Sequence, residues 1–236
     1  MKNQLLVYFL LIAGMLSGYS DYSYSMGMKI NEDGSAHVTE KTIFLFENSI
    51  ERKAFEINMN LGESTILEWR KFSDKIQYHM KGKISDVRIT AKREFDVSFD
   101  AGAVIVDYNV DSIFSQTKVG SRRTIYSLLP DALAFDRTKT GQTSIGNNAE
   151  LYFEYPLDAE LINAAPVYES DGRKIMWRGP IAGNWEFSFA REIALSSEVS
   201  LFFIETYGRA VNSLPLILLP LFALLVLFVL VKFGRK

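Results

Sequence analysis

The side chains best suited to proton chemistry near neutral pH are the two histidines, His37 and His79. Neither has a second ligand at His-x-x-x-His or Glu-x-x-His spacing, so a zinc site is not expected. A Ser-His-Asp triad can be assembled from residues far apart in the chain. No Gly-x-Ser-x-Gly elbow is available to expose its serine. Carboxylates are plentiful: Asp96 and Asp100 bracket one expected strand, and Asp107 and Asp111 lie near the end of the next. A glycosidase pair or a surface calcium site can be drawn from them. The EF-hand loop is missing, however, and solvation of strand ends accounts for these acids as well. No Gly-x-Gly-x-x-Gly run or P-loop cradles a phosphate. Gly120-Ser121-Arg122-Arg123 sets two guanidinium groups side by side, which suits an anion or an exposed loop entering a strand. Trp177 and Trp185 belong either to a core or to a partner-binding patch. The candidate interaction residues are therefore Trp177, Trp185, Arg122 and Arg123, and no catalytic, cofactor-binding or metal residue is assigned.

The elements that must position these residues read mostly as strands. Tyr22, Tyr24, Met26, Met28 and Ile30 alternate with polar neighbours, the period of a half-buried strand. Asn31-Glu32-Asp33-Gly34-Ser35 is a turn, and Ala36 to Phe46 runs back, which makes an opening hairpin with His37 at the start of its second strand. From Ser64 to Met80, Trp69, Phe72, Ile76 and Met80 recur at spacings of three and four. That pattern predicts an amphipathic helix with His79 near its end. Strands are expected at Val87–Ala91, Phe95–Phe99, Val104–Val110 and Leu151–Tyr155, with a turn at Asp100-Ala101-Gly102. A hairpin about Ser170-Asp171-Gly172 and a last strand through Trp185, Phe187 and Phe189 follow. Thr138 to Asn148 reads as an exposed loop. Eight to ten strands with one inserted helix predict a mainly β (α+β) fold, an antiparallel β-sandwich-like domain.

Both ends of the chain are apolar. Lys2, the run Leu5–Leu16 and the small residues Gly18 and Ser20 read as a signal peptide over residues 1–20. An extracytoplasmic β-rich domain is expected over 21–195 and a juxtamembrane amphipathic helix over 196–212. Leu214 to Val231 carries no charge and would span about 27 Å as a helix, close to a bilayer core. Lys232, Arg235 and Lys236 follow at once, so a transmembrane helix over 213–232 with a cytoplasmic tail at 233–236 is the expected topology. A tail that short leaves no room for a signalling domain inside the cell.

Composition narrows the function further. Aromatics at 13% and charged residues at 23% suit a packed core. The chain has no cysteine, which removes disulfides, thiolate metal sites and a cysteine nucleophile. Lys2, Lys232, Arg235 and Lys236 flank the ends while all 28 acidic residues lie between them, so the segment between carries a net charge of −6. An acidic body argues against nucleic acid and against anionic headgroups as partners.

Three stretches carry a resemblance. Asn31 to Glu40 matches an opening hairpin of the form acidic-Gly-small-x-Val-x-Glu, and Tyr155 to Glu160 with Gly172 to Pro180 matches a closing half. Together with the two ends they resemble uncharacterised single-pass surface proteins of archaea: signal peptide, β-rich extracytoplasmic domain, C-terminal transmembrane helix. The resemblance implies architecture and origin and transfers no activity. The expected function is that of a membrane-anchored, non-catalytic protein without a cofactor. It would bind another membrane or envelope protein as an interaction or complex subunit. An envelope hydrolase acting on sugar or peptide, or an extracytoplasmic ligand receptor, is the alternative. A histidine bonded to a carboxylate inside a pocket would favour the hydrolase, and a deep pocket with convergent polar groups would favour the receptor.

Overall fold

The computed structural model describes residues 19–61, 65–120 and 122–192. The expected signal segment up to residue 18, the juxtamembrane helix over 196–212 and the transmembrane helix over 213–232 lie outside the described residues. Among those described, no helix is long and apolar enough to cross a membrane.

The fold is mainly β. β1 (Tyr19–Ile30) and β2 (Ala36–Phe46) form the expected hairpin, with Gly34 at φ +88° in its turn. That backbone lies in the left-handed region, where a residue without Cβ is not strained. The Asp33 carboxylate closes the turn by accepting from the Ser35 amide at 2.9 Å. β3 (Lys83–Arg93) and β4 (Ala101–Asp111) extend the hairpin. β8 (Ala149–Glu154), β10 (Glu169–Asp171) and β11 (Lys174–Arg178) complete a seven-stranded sheet of order β10-β11-β8-β1-β2-β4-β3. A four-stranded sheet holds β5 (Phe114–Val119), β6 (Arg123–Leu128), β13 (Glu186–Glu192) and β9 (Ala159–Ala165), in the order β5-β6-β13-β9. β7 (Thr143–Ile145) pairs with β12 (Ile181–Gly183).

The antiparallel expectation is corrected at one place: β1 and β8 run parallel, Tyr24 opposite Ala149, so the large sheet is mixed. Alternate residues of its strands face inward. Tyr24, Met26 and Met28 from β1, Val104, Val106 and Tyr108 from β4, and Leu151 and Phe153 from β8 are all buried. Phe153 meets Phe187 of the four-stranded sheet at 5.4 Å between ring centroids.

The single inserted helix at Ser64–Met80 is also corrected. Helix there is confined to α2 (Ile66–Trp69). Beyond it the chain closes short turns, Phe72 N–H to Trp69 O and Ile76 N–H to Ser73 O, while the Ser73 hydroxyl accepts from the Lys75 amide. A serine bonding its local backbone competes with the helical ladder. Trp69, Phe72, Ile76 and Met80 are nonetheless all buried, as their spacing required.

The longer helix is α1 (Ser49–Asn60), in a stretch the sequence left unassigned. Asn48 caps it, its side chain accepting from the Ile50 and Glu51 amides at 2.9 and 3.1 Å. Phe55 of α1 is buried among Phe44, Phe46, Trp69 and Phe72, all within 5.8 Å of its ring centroid. A Cβ at Gly102 would lie 2.7 Å from the Phe46 ring and 3.1 Å from Phe55, so β4 begins where only glycine fits beneath these rings. Ala101 and Gly102 thus start a strand rather than a turn. The strand expected at Phe95–Phe99 is itself the turn between β3 and β4, with both phenylalanines exposed.

The chain divides into a body, residues up to Val119 with Thr124–Arg191, and a second unit to which Gly120–Arg123 and Glu192 belong. In that second unit Gly120 has φ +76° and Arg123 approaches Glu192 at 3.9 Å.

Candidate functional site

A charged residue on the inward face of a strand needs partners, because an isolated buried carboxylate costs several kcal/mol. Glu40 is such a residue. The alternation of β2 points it inward with Val38, Thr42 and Phe44, and it is 2% exposed. Four donors meet it. Its Oε2 accepts from the Tyr24 hydroxyl at 2.8 Å and lies 2.6 Å from His79 Nδ1. Its Oε1 accepts from the His79 backbone N–H at 2.9 Å and from the Tyr108 hydroxyl.

His79, 5% exposed, is held from every side. Its ring stacks on Phe135 with centroids 4.6 Å apart and meets Tyr24 edge-on at 4.9 Å. Its Nε2 lies 3.3 Å from the Gln77 side-chain amide. The tautomer that satisfies all of these contacts carries its proton on Nδ1, toward Glu40, and accepts from Gln77 at Nε2.

The two tyrosines are held as neutral donors. Burial, and next the Glu40 charge, push the Tyr24 hydroxyl well above the usual phenol range. The same causes in the same order raise Tyr108. Tyr78, edge-on to Tyr108 at 5.1 Å, is raised as well by its burial and by Glu40.

A cavity of about 420 Å³ opens over this cluster, within the size range of small-molecule pockets. Tyr24, His79 and Phe135 line it beside Gln77, and Asp74 and Lys75 bring both signs of charge to its wall. Lys75 also pairs with Asp21 at 3.3 Å. Ser144, Ile145 and Gly146 also line it, so the stretch expected as an exposed loop contributes β7 and part of this wall.

The arrangement can accept and donate hydrogen bonds at a fixed, partly apolar surface. Both oxygens of Glu40 are already filled. Among the described residues, His79 makes no hydrogen bond to a serine or threonine hydroxyl that would serve as nucleophile. No group of three or more metal-ligating side chains occurs among the described residues.

The residues singled out from sequence do not gather here. Trp177 is 1% exposed, with its indole N–H on the Pro166 carbonyl at 3.0 Å, so it fills the core and presents no surface. Trp185 is half-buried, 5.1 Å from Trp177, and donates to the Thr143 carbonyl. Arg122 stands in the β5–β6 turn and Arg123 opens β6. His37 is exposed and bonds Asn109 at 3.0 Å. Asp107 of β4 accepts from Thr39 of β2 at 2.6 Å, and Asp100, in the turn before β4, pairs with Arg52 of α1 at 2.7 Å. Sequence reasoning missed the Glu40 cluster, for which the one available signal was an acid at an inward position of an alternating strand.

No family model and no curated protein matches the sequence. Among solved structures, native yeast LTA4 hydrolase is similar over 74% of this chain and 29% of that chain, at 9% identity and a TM-score of 0.36. The chain therefore spans less than a third of that protein, and a likeness of this degree does not bear on what the cavity does.

Proposed function

We propose that the chain is a membrane-tethered extracytoplasmic protein whose sandwich-like β body binds rather than catalyses. In this reading residues 1–20 direct export, 213–232 anchor the chain, and the architecture is that of the archaeal single-pass surface proteins it resembles. The body recognises another membrane or envelope protein and receives a polar group of that partner in the cavity over Tyr24 and His79. The observation that carries the reading is the closed Glu40 network. Four donors fill its two oxygens, so the cluster offers a rigid recognition surface instead of a free base.

The test is affinity purification of the full-length protein from its native membrane in mild detergent, beside a Ser144→Trp variant that fills the cavity. A stoichiometric partner retained by the wild type and lost by the variant is the expected result. A partner retained equally by both places recognition elsewhere and overturns the cavity's role.

A second reading is favoured by one contact, the 2.6 Å pair of Glu40 and His79 at the cavity floor. A carboxylate that orients an imidazole is the arrangement of a general base acting on water. Turnover of peptide or glycan substrates by the wild type, abolished in His79→Gln, would establish that hydrolase reading in place of the first.

A further inference from the structure

A second cavity, of about 520 Å³, opens on the four-stranded sheet where β6 ends and β13 begins, with Asn163 of β9 set opposite Ser188 of β13. Its volume is again that of a small-molecule pocket. Trp185 lines it and is fixed there. The β7–β12 ladder ends on the pair Thr143 and Gly183, and two residues later the Trp185 indole N–H returns to the Thr143 carbonyl at 3.1 Å. Trp177, itself buried and bonded to Pro166, packs against that indole at 5.1 Å between centroids. A ring held at its polar edge and against a second indole is already ordered before any ligand arrives, which lowers the entropy lost on binding.

The polar groups around Trp185 narrow the chemistry of that ligand. An anion needs a free cation, and the cation in the lining, Arg137, is bonded to Asp131 at 2.6 Å. Glu186, the other charged group of the lining, accepts from the Asn163 amide at 2.7 Å. That bond uses the NH₂ end of Asn163 and leaves its carbonyl oxygen as an acceptor. The hydroxyls of Ser127 and Ser188 and the amide of Asn184 have no hydrogen-bond partner among the described residues. An apolar ligand would strip water from these groups and give nothing back. A hydroxyl both donates and accepts at one atom, so it can answer any of them.

We propose that this cavity binds a neutral saccharide, with the carbon face of one sugar ring against Trp185 and its hydroxyls on Asn163, Asn184 and Ser188. Such a ligand joins an apolar ring face to a rim of neutral donors and acceptors, and the wall offers the complement of both. The site is separate from the cavity over His79 and stands whether or not that cavity receives a partner.

The chain has three tryptophans, and Trp69 and Trp177 are each 1% exposed, so acrylamide quenching of intrinsic fluorescence reads Trp185. Full-length protein is held in a phosphocholine detergent, which carries no sugar. It is titrated with the methyl glycosides of glucose, mannose and galactose, with N-acetylglucosamine, with methyl glucuronide as the anionic counterpart, and with N-acetyl-triglycine amide as a neutral peptide. The expected result is saturable protection of Trp185 by at least one neutral sugar at millimolar concentration, with no gain for the glucuronide. Asn163→Ala, on an exposed edge-strand side chain, should raise the half-saturating concentration several-fold. Asn184→Ala, in the exposed link between β12 and β13, gives the same reading if the first variant does not fold. Protection by none of the neutral sugars overturns the proposal. So does protection by the glucuronide alone, which would mark an anion site, or by the peptide alone, which would mark a protein-binding groove. An unchanged half-saturation in both variants would place the sugar elsewhere and overturn it as well.

Discussion

Replacing Glu40 by alanine tests whether the buried network is held together by its carboxylate. The substitution strips the acceptor from four donors at once: the Tyr24 and Tyr108 hydroxyls, the His79 amide and His79 Nδ1. A buried donor left without a partner costs about 1–3 kcal/mol. The four costs do not add, because the adjoining cavity is lined by Tyr24 and His79 and can admit water to them. A net loss of about 3–5 kcal/mol follows, less than four full costs of about 1–3 kcal/mol each. For a body of this size each kcal/mol lowers Tm by about 2–4 °C, so Glu40→Ala should melt about 6–20 °C below wild type. Glu40→Gln keeps the shape and one carbonyl acceptor and should cost about 1–3 kcal/mol. Thermal unfolding of the full-length protein at pH 7 in detergent, followed by near-ultraviolet circular dichroism, reads both. A Glu40→Ala variant within about 2 °C of wild type would refute the view that the four donors depend on this carboxylate.

Alkaline unfolding tests the tyrosines. Tyr24 and Tyr108 are both raised above 10.0 by burial and by Glu40. Above pH ~10 the unfolded chain releases these protons while the folded one keeps them, so the unfolded state binds fewer protons and stability falls as pH rises. Below that pH their contribution is fully present. Chemical denaturation from pH 8 upward should show the decline steepening past about pH 10, and Tyr108→Phe should flatten it; an unchanged slope in the variant would sink the assignment. Phe55→Ala should remove about 3–5 kcal/mol, since its ring is enclosed by four aromatic neighbours. A denaturation midpoint unchanged from wild type would show that α1 does not anchor through it.

The sequence carried the strands whose signal is local. Tyr22 to Ile30 and Ala36 to Phe46 alternate cleanly around Asn31–Ser35, and the hairpin forms as that pattern requires. The β10–β11 hairpin and the Phe187–Phe189 strand were equally readable. Where the local pattern was ambiguous the reading failed in specific ways. The three-and-four spacing from Trp69 to Met80 does mark an inward face, but Ser73 diverts the backbone into turns that keep the spacing without a long helix. α1 was hidden because Ile50, Phe55, Ile57 and Met59 define no single apolar face. The candidate site was the least legible part. Its members lie 16, 39 and 68 positions from Glu40 in the chain, and only the folded sheet brings them into contact.

The parallel pairing of β1 with β8 also constrains how the protein is made. Asn148 donates to the Tyr22 carbonyl 126 positions earlier in the chain, and β1 lies between β2 and β8 in the finished sheet. One edge of β1 can be satisfied early by the adjacent hairpin, while its other edge must wait for residues beyond 148. During synthesis, that open edge presents unpaired amides and carbonyls until most of the body has emerged. Contacts of such long sequence separation carry a large loop-closure cost and slow the final step. Folding of the body should therefore finish late, as one event that follows emergence of the paired β8 and β11, rather than strand by strand.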